Sequence, residues 1–179
     1  MLLIVGLRVI APLSPEFKYI ANFSGIGAVA LFGGAYFSNR WLAIIIPLAA
    51  MLISDTMHEL FTGHGFHSGM PIIYGSFMLV SILGMIALRK VTPLKVVGAA
   101  LASSLIFFLI TNFAFFYTES AVADSNMGTY PHNWTGIIAS YVAGIPFLRN
   151  QILGDLFYSG VLFGGFYLLQ RRFETLKVA

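Results

Sequence analysis

Seven apolar runs, at residues 2–11, 23–37, 41–53, 72–88, 94–116, 136–147 and 152–169, are separated by more polar joints. Such runs decide the fold class. In lipid every backbone N–H and C=O must find its partner within the protein, and a helix achieves this inside one segment. A membrane strand would alternate apolar and polar residues, and these runs do not. Charged residues make up 9% of the chain, against about 25% in a soluble domain, so the predicted fold is an all-α integral membrane protein. At roughly 20 residues per crossing, 179 residues fit one six-helix transmembrane bundle, a single domain spanning 1–179. The opening "MLLIVGLRVIAPL" lacks the basic start and small-residue cleavage site of a signal peptide and is read as the first helix.

Charge placement reduces seven runs to six crossings. With the chain starting inside and runs one to five all crossing, Arg40, Arg89, Lys90, Lys95, Arg171, Arg172 and Lys177 fall on the inner side if the chain also ends there. That agrees with the enrichment of Lys and Arg on the cytoplasmic face and predicts the inner (cytoplasmic) membrane with both termini cytoplasmic. An even number of crossings is then required. The run at 136–147, short and closed by Pro146, is read as a re-entrant or interfacial segment before the last helix at 152–169.

This orientation gathers the polar side chains on the outer side. A pocket lined by Asn22, His67, Tyr74, Asn112, Trp134, Asn150 and Asp155 is predicted there, with aromatic faces for a planar ring and amides and a carboxylate to orient it. Asp155 is placed in the first turn of the last helix, where the helix dipole favours a negative charge. No run is read as holding a carboxylate at its centre, which counts against a proton relay. The stretch "SDTMHELFTGHGFHSGMP" brings His58, His64 and His67 within ten positions. "HELFT" starts like a zinc-protease helix, but Thr62 stands where the second histidine ligand belongs. With Asp55 the three histidines suit zinc, copper or cobalt, yet Gly63 and Gly65 loosen the segment, so His58 and His64 are read as a polar outer loop. A metal-ion permease or sensor using that loop is one alternative; a structural or assembly subunit of a larger membrane complex, docking through the small residues Gly27, Ala30 and Gly34, is another. The chain has no cysteine, no phosphate-binding glycine loop and no local serine–histidine signature. No enzyme, cofactor, bound metal or nucleic-acid partner is expected.

The hairpin "ALFGGAYFSNRWLAIIIPLAAMLISD", the segment "PIIYGSF" and "GIPFLRNQILGD" resemble the substrate-binding S-components of energy-coupling factor (ECF) vitamin transporters. Pro146, Phe147, Gly154 and Asp155 occupy a Pro-Phe…Gly-Asp signature similar to that of the biotin-binding branch, with a longer spacing. Nearly the whole chain more closely resembles an uncharacterised bacterial multi-pass family carrying "NFxxIGAxALFGGAYF", "GFHxxMPxxYGSF", "FFxxTNF" and "YP". The resemblance implies capture of a vitamin or related micronutrient; the predicted pocket suits a corrinoid, whose cobalt a neutral His67 could ligate, and equally a flavin-like or purine-like ring. It also implies a membrane coupling protein with ATPases as partner. The first run departs from the S-component pattern, lacking the alanine-x-x-x-alanine face that meets a shared coupling module.

Overall fold

A computed structural model of the chain describes residues 23–63, 65–117 and 130–173, with the backbone alone at 114–117. Among the described residues five helices follow one another: α1 (Ile26–Tyr36), α2 (Arg40–Thr62), α3 (Met70–Ala87), α4 (Pro93–Tyr117) and α5 (Trp134–Arg172). Among the described residues there is no strand, and α2 to α5 provide four helices long and apolar enough to cross a membrane. The first predicted run, 2–11, lies outside the described residues. The helix α1, with 11 residues, rises only about 17 Å, against a hydrocarbon core of roughly 30 Å.

Side-chain caps set the helix starts. Asn39 Oδ1 accepts from Trp41 N–H at 2.9 Å, and Asn133 Oδ1 accepts from Gly136 N–H at 3.0 Å, each satisfying a donor that the first turn leaves unpaired. At the end of α2, Gly63 takes a left-handed conformation (φ 69°) and its N–H bonds Glu59 O at 2.8 Å, a geometry glycine adopts without a Cβ penalty.

Two sequence expectations are corrected. The predicted interfacial segment at 136–147 and last helix at 152–169 are one continuous 39-residue helix, α5, with Pro146 inside it. At 1.5 Å per residue it is about 58 Å long. Pro146 lacks the N–H that would bond Val142 C=O, and membrane helices tolerate such a loss when packed; the apparent joint at Arg149-Asn150-Gln151 is helical, with Gln151 buried. The polar stretch after Ile53 is likewise helix rather than loop, and α2 runs on to Thr62. Its hydroxyls are satisfied by the helix itself: Ser54 Oγ donates to Met51 O at 2.8 Å and Thr56 Oγ1 to Leu52 O at 2.7 Å.

Contacts between helices fix their sense. On α1 and α5, Phe32 meets Phe163 with centroids 5.2 Å apart and Tyr36 meets Phe166 at 4.5 Å, a matched progression that makes the two helices parallel. The neighbouring α4 runs antiparallel to α5, since Ser104 pairs with Asp155 and Ser140 with Asn112. Between α1 and α3 the backbones touch: a Cβ on Gly34 would lie 2.5 Å from Ser81 O and 2.7 Å from Met85 N, and one on Gly84 2.7 Å from Leu31 O. Without a hydrophobic drive between helices in lipid, close backbone approach through small residues supplies the packing. The share of each candidate span that is buried is only 28–33%, so most apolar side chains face outward, as lipid permits.

This arrangement brings the end of α1, the start of α2, the α3–α4 joint and the end of α5 to one end of the bundle. That end carries Arg40, Arg89, Lys90, Lys95, Arg171 and Arg172. The opposite end carries His58, Glu59 and His67. Two buried clusters fill the interior, one around Ile26, Val29, Met51, Phe77 and Tyr158 and one toward the basic end around Leu31, Val80, Leu88, Val96 and Phe163.

Candidate intramembrane site

Asp155 is 1% exposed and is held between these clusters. Ser104 Oγ donates to its Oδ2 at 2.8 Å. Ser104 stands near the middle of the 25-residue α4, so the carboxylate lies near mid-depth of a helix long enough to span. On the other side the carboxylate packs on Gly27 of α1, where a Cβ would overlap it. Gly154 similarly faces the backbone of Ser24, 3.0 Å from its N. Among the described residues no cation pairs with Asp155. Ser103, beside Ser104, and Ser159, one turn beyond Asp155, are buried with hydroxyls that have no hydrogen-bond partner.

Asp155 therefore does not sit in a first turn. Its helix begins 21 residues earlier at Trp134, and the helix-dipole rationale fails because that field fades within one turn. The expectation that no crossing holds a central carboxylate fails with it. A second carboxylate, Asp55 on α2, is 8% exposed and accepts from Tyr74 OH of α3 at 2.8 Å. Proton or cation chemistry inside the bundle is thus open to this chain.

Among the described residues, none of the other predicted pocket side chains is hydrogen-bonded to Asp155. Trp134 is 80% exposed and, 21 positions away on the same helix, roughly 32 Å distant. Asn112 lies eight positions beyond Ser104 on α4, roughly 12 Å along the axis. Its Nδ2 donates to Phe108 O at 2.8 Å and its amide rests on Gly144. Tyr74 serves Asp55, and Asn150 is half-buried with a polar contact inside the protein. His67 is exposed, its Nδ1 accepting from Gly69 N–H at 3.2 Å. Asn22 lies outside the described residues.

The histidine stretch is not a loose loop. His58 belongs to α2, with Nδ1 2.7 Å from Thr62 Oγ1. Glu59 Oε2 accepts from Gly65 N–H at 2.7 Å and Phe66 N–H at 3.0 Å, tying the following turn to the helix. His64 lies outside the described residues. Among those described, no three His, Asp or Glu side chains converge as metal ligands. The docking residues Gly27, Ala30 and Gly34 are also taken up within the chain: Gly27 seats Asp155, Ala30 is fully buried and Gly34 touches α3.

Sequence reasoning missed Ser104, Gly27 as the seat of the carboxylate, and a cavity of about 740 Å³ at the basic end. The signal for Ser104 was present, since Ser103-Ser104 is a polar pair inside the apolar run "VVGAALASSLIFFLI" and polar groups in a crossing turn toward the bundle. The cavity lies between α1, α4 and α5, with Tyr36, Val96, Leu156, Ser159 and Phe163 on its walls and Arg89 and Tyr167 toward the basic end. The predicted pocket was at the opposite end.

An all-helical architecture with transmembrane-capable helices and a carboxylate sealed among them defines a membrane-embedded protein with an intramembrane polar site. The chain belongs to DUF6580, a family of unknown function, whose profile matches residues 1–176. No curated protein and no solved structure matches it. Membership in this family does not tie the chain to the S-components.

Proposed function

We propose that this chain is a membrane-embedded binding and uptake protein for a vitamin or related micronutrient, working as an ECF S-component does, with Asp155 as the internal anchor for the ligand. The observation that carries the reading is Asp155 itself, fully buried, bonded to one hydroxyl and unmatched by a cation among the described residues. An ionisable group at such a depth is costly and marks a functional site. A ligand N–H or a cationic ring edge would supply the missing donor. Ser104 orients the carboxylate, and the Asp55–Tyr74 pair joins α2 to α3 toward the end opposite the basic one. The basic end faces the cytoplasm by the Lys/Arg rule, in the inner membrane, with energy drawn from a coupling protein and its ATPases. Flavin-like and purine-like rings carry ring N–H donors, and a corrinoid carries amide N–H donors on its periphery.

The test is mass spectrometry of small molecules released from gently purified protein, followed by thermal-shift screening of vitamins on wild type and Asp155→Asn. A compound that stabilises wild type and loses at least tenfold in affinity on Asp155→Asn supports the reading. Equal response of both proteins to every bound compound would overturn it. The central carboxylate also favours a second reading, proton-coupled movement, in which uptake depends on an imposed pH gradient and Asp155→Asn abolishes that dependence.

A further inference from the structure

We infer that the cavity at the basic end binds a small amphipathic organic acid: an anionic group at Arg89, an apolar ring or chain body, and a hydrogen-bonding group at the far end against Ser159. Its volume, about 740 Å³, falls within the few hundred to about 1,000 Å³ of small-molecule pockets. On α5 the lining runs from Leu156 to Gln170, fourteen positions or roughly 21 Å, of which the stretch from Ser159 to Gln170 is roughly 16 Å, and this bounds the length of what it can hold. Val96 and Phe163 give apolar walls between these ends, and Leu156 adds apolar lining about one turn beyond Ser159. Arg89 is exposed and no carboxylate among the described residues pairs with it, so its guanidinium is available to a carboxylate in two-pronged geometry. At the other end Ser159 is 1% exposed and its hydroxyl lacks a partner, a vacancy that a buried polar group ordinarily does not tolerate.

The two polar ends together select the ligand class. A bilayer lipid would satisfy Arg89 with its headgroup but bring only hydrocarbon to Ser159; an acid with a hydroxyl, amide or ring N–H at its far end satisfies both. The binding chemistry rests on the cavity alone, and only its meaning as the inward chamber for the transported compound rests on the uptake reading above.

The probe is 4-(4-hydroxyphenyl)butyrate, titrated by calorimetry into the full chain in phosphatidylcholine nanodiscs. Its methyl ester, 4-phenylbutyrate and phosphatidylglycerol-doped discs are the comparison arms. The expected result is saturable binding, weakened roughly tenfold by esterification and by Arg89→Gln, with Ser159→Ala removing the advantage of the hydroxylated acid over 4-phenylbutyrate. One hydrogen bond to a charged group accounts for a factor of that size. Binding insensitive to both substitutions overturns the inference, as does phosphatidylglycerol displacing the acid while itself depending on Arg89. Loss of acid binding in Arg89→Gln with vitamin response still dependent on Asp155 would support both assignments. No acid binding beside an intact Asp155-dependent response would overturn this inference alone.

Discussion

Replacing Gly27 by alanine tests the site without altering a charge. The three atoms nearest a Cβ built there all belong to the Asp155 carboxylate, with Cγ at 2.9 Å and Oδ2 at 3.0 Å. Asp155 is 1% exposed and its Oδ2 is held by Ser104 Oγ at 2.8 Å, so the carboxylate must leave that bond or α1 must move away from α5. A hydrogen bond to a charged group contributes about 1.5–3 kcal/mol, and overpacking costs about 1–3 kcal/mol. The protein escapes by whichever route is cheaper, giving a loss of about 1–3 kcal/mol. At roughly 2–4 °C per kcal/mol for a chain of this size, the Tm falls by about 2–12 °C. Circular dichroism of the full chain in dodecyl maltoside measures this. In an Asp155→Ala background the obstructing atoms are gone, and Gly27→Ala becomes nearly neutral, with a coupling energy of about 1–3 kcal/mol. Equal losses in both backgrounds would show that the carboxylate is not what Gly27 accommodates.

Two further outcomes follow from the same contacts. Asp155→Ala changes stability by less than about 1 kcal/mol in the same melt, because the single Ser104 hydroxyl proton can turn from the lost carboxylate to Ala100 O, 3.2 Å away, so that no buried donor is left unsatisfied; a large destabilisation would assign Asp155 to the fold rather than to ligand binding. Gly34→Ala, whose Cβ meets only backbone atoms of α3 at 2.5–2.9 Å, costs about 1–3 kcal/mol, whereas Gly98→Ala, with nothing within 4 Å, is neutral or stabilising; the two Tm values measured side by side check the contrast.

The membrane class and the positions of α2, α3 and α4 were legible because lipid-facing helices must be apolar nearly all round, and that leaves long runs in the sequence. The segregation of Arg40, Arg89, Lys90, Arg171 and Arg172 to one end was legible for the same reason, since only joints and helix ends carry charge. The continuity of α5 was not. Gly136, Pro146 and the Arg149-Asn150-Gln151 turn look like interruptions of an apolar run, although Asn133 followed three residues later by Gly136 marks the true start through its cap. The end of α2 was misread similarly: Asp55, His58 and Glu59 resemble a loop until Tyr74, Thr62 and the amides of Gly65 and Phe66 are seen to satisfy them. The depth of Asp155 was not legible, because it is fixed by Ser104 across the helix interface rather than by its neighbours in sequence.

The buried face of α5 explains why the last helix misleads. Its buried residues are Gly136, Ser140, Gly144, Gln151, Gly154, Asp155, Tyr158, Ser159 and Phe163. Seven of these nine are glycine or carry a non-aromatic polar side chain, while its exposed positions include Ile138, Val142, Ile145, Leu153, Phe157 and Val161. A water-soluble helix would place these the other way round. In lipid, burying an apolar side chain between helices gains little over leaving it among acyl chains, so close packing and hydrogen bonding decide what faces inward. Read outward from α4, the stripe passes from residues that bind the neighbouring backbone, Ser140 on Asn112 O, to Asp155 with a single donor, and then to Ser159 with none. Hydrogen bonding thus thins from Ser140 to Ser159 toward the cavity, which is where the proposed binding role of Asp155 needs free polar groups.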